Sequence, residues 1–500
     1  MNLKRKAVSG VAWSSVANIG ERAGVFLIML LLLRLVSVQE FGTATTAIMI
    51  VTVLYPVARF GSFEYLIQHP DPDDAHQSAG FVATLAFSIL ASLGLFAASW
   101  PLALLFDDPA LQPAVAMLSP IFVLRGLGTV HEAMLTKAFG FRALAIRRLS
   151  GVAAGGLVAI VMASYGYGVM ALIAQQLVNH GVSTLLMTIS HRWRADLSRL
   201  GELVPQVWKM GARYTVSQLF SSMNLSGFGL VIGLFLGTAE AGLFRLAFSA
   251  VDLCVQLTVM PFARVSVPIF AQFRSEVGRL GEAYLKALQA TSLMTFIVFA
   301  LMGVLGREIG TLIYGTRFAE AGPLVSVLCL SVFANTSNRL IASLLGAIGQ
   351  PGELIRISAV QAVASLLFAW LAAPYGLIVV AAAHVARSAI TTPLAYHFLR
   401  KHAGVAPSDV ARVFVIPVAA AIVGVLPVVA FSLLPLFEQL PVFVRVGIGA
   451  SLGGVTYLVF VVLAQPALLR GTLTAVSPAL ARRVMQMPVL GAMLRRGAEA

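Results

Sequence analysis

The chain has 500 residues, of which 59% are hydrophobic and only 11% charged, with a formal net charge of +14 and a mean hydropathy of +0.89. A soluble domain needs about a quarter of its residues charged to cover its surface, so a soluble fold is excluded. Apolar runs long enough to cross a hydrocarbon core as helices, about 20 residues each, recur from end to end, and the ten-residue alternation of a membrane β-barrel is missing. The class is an all-α polytopic membrane protein with about 14 transmembrane helices.

In chain order the runs predict spans at 11–36, 43–68, 79–105, 113–138, 149–165, 167–190, 211–236, 243–272, 286–305, 321–348, 358–374, 376–398, 412–434 and 442–465. The leader Lys4-Arg5-Lys6 runs into a first span containing Glu21 and Arg22, with no short apolar core and cleavage site, so it reads as a retained helix. Turn signals separate the spans, among them HPDPDD at 69–74, YGYG at 165–168 and GQPG at 349–352. Cys254 and Cys329 lie inside apolar runs without metal-ligand spacing and read as small hydrophobes. The last two spans are the most apolar: Val413 to Leu434 contains no ionisable residue.

The charge distribution excludes nucleic acid as the partner. With the N-terminus inside, the even-numbered connections and both tails carry most of the 35 lysines and arginines, including Arg142, Arg147, Arg148, Arg194, Arg279, Arg356, Arg400 and Arg412. The opposite loops carry only Arg307 and Arg317. This asymmetry is the positive-inside rule, and it predicts that both termini are cytoplasmic. A repeat is also visible. Glu40-Phe41-Gly42 at the first hairpin matches Glu240-Ala241-Gly242 after the seventh span. Further on, Pro56-Val57-Ala58-Arg59 matches Pro261-Phe262-Ala263-Arg264. The matches predict a parallel duplication: an N-terminal six-helix lobe at 1–190, a linker at 191–210 and a second six-helix lobe at 211–398. Accessory helices 13 and 14 follow at 412–465, and a basic tail at 466–500 is expected on the anionic leaflet or free in solution.

An ionisable group at bilayer depth costs roughly 2.5–3.5 kcal/mol even on the lenient insertion scale, so each needs a partner, an aqueous cavity or a route to the interface. Residues near span ends reach the interface by snorkelling. The deeper groups form stripes at helical spacing: Asn18, Glu21 and Arg22; Arg125, Thr129 and Glu132; Ser331, Asn335, Asn338 and Arg339; His384, Arg387 and Thr391. Arg59 and Arg264 follow the prolines of the repeat, and Asp252 precedes the second. As interhelical glue, such stripes would pair Glu21 with Arg22 or Arg125 with Glu132. As a site, the surplus of Arg22, Arg59, Arg125, Arg264, Arg339 and Arg387 over the deep acids, with Asn18 and Asn335 beside them, favours a phosphate or carboxylate ligand held in bidentate fashion. Glu21, Glu132 and Asp252 are the candidates for coupling to H+ or Na+. No Walker loop, HExxH pair or nucleophile elbow occurs, and the loops are too short for an ATPase. The chain reads as a secondary transporter, not an enzyme, with no cofactor or metal.

Several segments resemble a known family. LLLRLVSVQEFG at 31–42 after a basic leader and Trp13, FGSFEYLIQHPD at 60–71, LFDDPAL at 105–111 and KAFGFRALAIRR at 137–148 are similar to polysaccharide transporters of the multidrug/oligosaccharidyl-lipid/polysaccharide exporter superfamily, in its Wzx-type and succinoglycan-transporter-like branch. The resemblance implies two six-helix lobes around a central cavity in the bacterial inner membrane. It implies alternating access that flips an undecaprenyl-diphosphate-linked oligosaccharide for surface polysaccharide synthesis, in company with a polymerase and other export components. It gives the cavity arginines the diphosphate or acidic sugars to hold. A lipid II flippase is the nearest alternative. A cation-coupled drug exporter fits the basic cavity less well, and a membrane glycan polymerase or ligase would need a large outward loop.

Overall fold

The computed structural model describes residues 3–191 and 193–464; Arg192, the basic tail and the side chain of Asn18 lie outside the described residues. Among the described residues all regular structure is helical and there is no strand. It forms two compact units: Met1–Arg245 with Ser365–Leu377, and Leu246–Ala364 with Ile378–Ala500.

The first unit holds α1 (Leu3–Leu35), α2 (Val38–Arg59), α3 (Ser62–Gln68), α4 (Asp74–Leu105), α5 (Leu111–Leu118), α6 (Ile121–Lys137), α7 (Phe141–Ser164), α8 (Gly168–Ser190), α9 (Leu200–Ser222), α10 (Phe228–Leu236) and the start of α11 (Thr238–Thr258). Local chemistry sets the starts. Ser37 and Glu40 form a reciprocal capping box on α2, and Asp73 caps α4 by accepting from the His76 N–H at 2.9 Å. The break between α2 and α3 is made by Phe60 and Gly61, both in the left-handed region at φ 41° and 64°. That conformation is costly for phenylalanine. The Phe60 ring is held at 3.8 Å between centroids against Phe87, and Trp208 packs edge-on to both. A five-residue π turn, Met223–Gly227, separates α9 from α10.

The second unit continues with α12 (Met260–Gln272), α13 (Val277–Val304), α14 (Gly306–Tyr314), α15 (Ala321–Cys329), α16 (Val332–Ala347), α17 (Pro351–Ala372, whose end belongs to the first unit), α18 (Leu377–Ala386), α19 (Ser388–Ala403), α20 (Pro407–Ser432), α21 (Pro435–Gln439) and α22 (Val442–Ala464). Tyrosines tie it internally. Tyr457 donates to the Leu293 carbonyl at 2.6 Å, and Tyr314 donates to that of Leu246 at 3.0 Å.

Among the described residues, eleven helices are long and apolar enough to cross a membrane, or twelve if the pair α15–α16, bent by 58°, is one span. The expected first and seventh spans are helical but fall outside this set. Fourteen spans are compatible with the structure. Expected boundaries shift where a polar turn of helix extends an apolar run: α7 starts at Phe141 rather than 149, so Arg142, Arg147 and Arg148 are helical residues instead of loop residues. Several expected spans are two helices in series, because a run of apolar residues does not register a left-handed residue or a π turn inside it.

Candidate functional site

The site in the first unit is built around the α2–α3 break. Gly61 and Gly211 let α9 approach that break at backbone distance: a Cβ on Gly211 would lie 2.2 Å from the Phe60 carbonyl oxygen. The approach brings Tyr214, Thr215, Gln218 and Ser222 of α9 opposite Tyr55, Pro56, Arg59 and Glu64, around a cleft of about 120 Å³. Gln68 donates to the Tyr214 hydroxyl at one edge.

Three charges set the electrostatics: Arg59 and Glu64 line the cleft, and Arg125 stands beside it over Tyr55. The Arg59 guanidinium sits 4.1 Å from the centre of the Phe63 ring, and its buried Nε has no hydrogen-bond partner. The Arg125 guanidinium lies 3.6 Å over the ring of Tyr55, one helical turn before Arg59 on α2. An aromatic face attracts a cation through its quadrupole but leaves the N–H edges open. Neither arginine has a carboxylate within ion-pair distance among the described residues. Thr215 is buried and its hydroxyl is also unpartnered. The cleft therefore offers an anion both charge and donors.

The acids that sequence spacing suggested as partners are engaged elsewhere. Glu132 accepts from Arg147 at 2.6 Å, and both side chains are largely buried. Glu21 lies 3.6 Å from Arg148. The pairings Glu21–Arg22 and Arg125–Glu132 are thus replaced by pairings to α7. The reason is reach: Arg22 directly follows Glu21 and points about 100° round the helix from it, and Arg125 lies two turns, about 10 Å, from Glu132, whereas α7 presents its arginines across the packed interface. Arg22 is exposed on α1.

The second unit holds the remaining candidates. Arg387 is half-buried on the His384 ring, with its Nη2 at 3.2 Å from Nε2 and its Nε donating to the His384 carbonyl at 3.1 Å. Asn335 donates to Ser331 Oγ at 2.9 Å. Arg264 and Arg339 are exposed. Asp252 is half-buried and has no ion pair among the described residues. Sequence spacing joined His384 to Arg387 correctly but did not join Asn338 to Thr392, 3.4 Å away on another helix. Tyr55 and the α9 residues of the cleft were missed, since nothing in a single sequence signals that Gly61 and Gly211 meet. No cluster of three metal-ligating side chains occurs among the described residues.

Comparison with known proteins agrees with this architecture. Residues 31–323 match the family described as polysaccharide biosynthesis protein. The lipopolysaccharide biosynthesis protein WzxC of Escherichia coli K12 is 25% identical over 349 residues, covering 69% of this chain and 70% of that protein. The succinoglycan biosynthesis transport protein ExoT of Rhizobium meliloti 1021 is 24% identical over 357 residues, covering 71% and 72%. Among solved structures, the lipid II flippase MurJ in an inward closed conformation superimposes with a TM-score of 0.73 over 90% of this chain and 98% of that one, at 15% identity. An inward-facing multidrug resistance MATE transporter of the MOP superfamily gives 0.59 over 78% and 94%, at 14% identity. At these identities the structures show the shared fold. With more than half its length matched by the family model, this chain belongs to the polysaccharide biosynthesis protein family, a family of membrane transporters.

Proposed function

We propose that the chain flips an undecaprenyl-diphosphate-linked oligosaccharide from the cytoplasmic to the periplasmic leaflet of the bacterial inner membrane, with both termini cytoplasmic, by alternating access between duplicated six-helix lobes. The observation that carries the anionic part of the reading is the pair Arg59 and Arg125, stacked on aromatic rings beside a polar cleft and outnumbering its one acid, Glu64, with which neither forms an ion pair among the described residues. Guanidinium forks match phosphate and carboxylate oxygens in bidentate geometry, and the cleft would take one such group while the isoprenoid stays in lipid. Arg387, Arg264, Arg339, Arg22, Asn18 and Asn335 remain candidates for further contacts along the path. Of the three coupling candidates, Glu21 and Glu132 are neutralised by Arg148 and Arg147, which leaves Asp252 as the one to test for H+ or Na+ coupling.

Lipid II is the second reading, supported by the fold shared with MurJ; the family match over residues 31–323 favours the polysaccharide cargo. Deleting the gene tests the choice. Loss of surface polysaccharide with accumulation of lipid-linked repeat units on the cytoplasmic side is expected. Unchanged export and unchanged intermediates sink the proposal, and arrested peptidoglycan synthesis transfers it to lipid II.

A further inference from the structure

The two matched hairpins of the repeat meet in the first unit. Gly42, of Glu40-Phe41-Gly42, and Gly242, of Glu240-Ala241-Gly242, are in backbone contact: a Cβ built on Gly242 would lie 2.7 Å from the Gly42 Cα, and one built on Gly42 would lie 2.2 Å from the Thr238 carbonyl oxygen. The contact extends along one face of α2 at helical spacing. Thr46 follows Gly42 by one turn and is fully buried with an unpartnered hydroxyl. Met49 comes next and packs on Gly229 of α10.

A buried carboxylate spans this seam. Asp108 is 6% exposed, and the residue before it, Asp107, turns the chain through the left-handed region at φ 50°. Asp108 Oδ2 accepts from the Thr43 hydroxyl at 2.5 Å and from the Thr238 hydroxyl at 2.8 Å. Gln39 Nε2 donates to the Thr238 oxygen at 3.0 Å and lies 3.5 Å from the carboxylate. The Ala110 N–H satisfies Oδ1 at 3.1 Å. No cation takes part among the described residues; hydroxyl and amide donors alone keep the charge tolerable in a buried site. Thr43, Gln39 and Ala110 lie in the first copy of the repeat, and Thr238 lies in the second, where it opens α11.

We infer that Asp108 is the latch of a gate. Its hydrogen bond from Thr238 holds the two matched hairpins shut, and the conformational half-cycle that opens this end breaks that bond while the bond from Thr43 persists. The inference rests on the alternating-access reading above. The geometry suits a latch better than a permanent brace. The polar part of the seam is one carboxylate with Gln39 and Thr238 around a glycine-to-glycine contact, and parting it at Thr238 leaves Asp108 with the donors of Thr43, Gln39 and Ala110. By the connection order read from the sequence, the hairpins and the 105–111 loop share the outward end.

The test measures accessibility and needs no cargo. Thr46→Cys is nearly isosteric and breaks no hydrogen bond; in the full chain in nanodiscs it should react slowly with a polar maleimide, with the parent chain, which carries only Cys254 and Cys329, as background. Adding Asp108→Ala should raise the labelling rate about tenfold or more, since a hydrogen bond to a charged group is worth at least a decade in an equilibrium constant. Thr238→Val, which leaves the Asp108–Thr43 pair intact, should do the same and decides the matter if Asp108→Ala fails to fold. Unchanged labelling in a folded variant of either kind overturns the latch. Faster labelling in a strain whose gene deletion leaves export unaltered sinks the flippase reading and keeps the latch.

Discussion

At the scale of single residues, what matters is which guanidinium groups find a carboxylate. Arg147 finds Glu132 in a largely buried pair, so Glu132→Gln strands a charge. Breaking such a pair costs about 3 kcal/mol; the expected result is a lower unfolding midpoint in detergent, partly restored when Arg147→Met is added. Arg59 and Arg125 behave oppositely. Arg59→Ala or Arg125→Ala should leave the amount of folded protein in the membrane unchanged and cut export at least tenfold. Arg125→Lys should rescue poorly, because an ammonium neither stacks flat on Tyr55 nor forks to two oxygens. Export at the parent level in all three variants would remove these arginines from the cargo path. Depth and charge singled out both arginines in the sequence, but not Tyr55 or the α9 residues that face them. Its pairings were not: spacing ranks neighbours on one helix, and the partners of Glu21 and Glu132 come from α7, which no periodicity in α1 or α6 reports.

At the scale of elements, the fold depends on how helices start, break and touch. Asp73 caps α4 through the His76 N–H and ring, and these hydrogen bonds hold its carboxyl below the usual carboxylate range. A group whose folded pKa is depressed stabilises above its unfolded value, about 3.9 for Asp, and loses that contribution as pH falls through the folded value. Asp73→Ala should therefore cost about 1 kcal/mol near neutrality and nothing measurable in acid below the folded pKa; an equal loss at both pH values would assign the effect to packing. Gly211 is the second element-level test. Its Cβ would meet the Phe60 carbonyl at 2.2 Å, so Gly211→Ala must push α9 off the α2–α3 break, for about 1–3 kcal/mol of overpacking, with loss of export following loss of the cleft. The helices themselves were readable from hydropathy. Their breaks were less so: Pro56 lies inside α2, yet the chain turns at Phe60 and Gly61, where aromatic packing from Phe87 and Trp208 holds a conformation that no local signal in the sequence demands.

At the scale of the whole molecule, the membrane class followed from composition, because too few polar residues exist to coat a soluble surface, while the transporter reading needed the repeat, the deep charges and the family resemblance. Orientation is open to direct test. A cysteine at Thr316, in the connection that bears Arg317, should label from outside in intact cells, and one at Gly404 only after permeabilisation; the reverse pattern would invert the proposed topology. One consequence of the unpartnered Arg59 and Arg125 concerns electrical work. An empty carrier that holds a surplus of positive charge within the membrane feels the field across it, about 2.3 kcal/mol for each full charge moved through 100 mV. A carrier whose guanidiniums are covered by a dianionic headgroup is close to neutral and barely feels it. With the cytoplasm negative, the resting voltage then favours return of the unloaded chain toward the cytoplasmic side and leaves the loaded step nearly indifferent. Collapsing the voltage at constant pH with a potassium ionophore should slow multiple turnovers while sparing the first, and the Arg59→Ala/Arg125→Ala chain should show no such dependence.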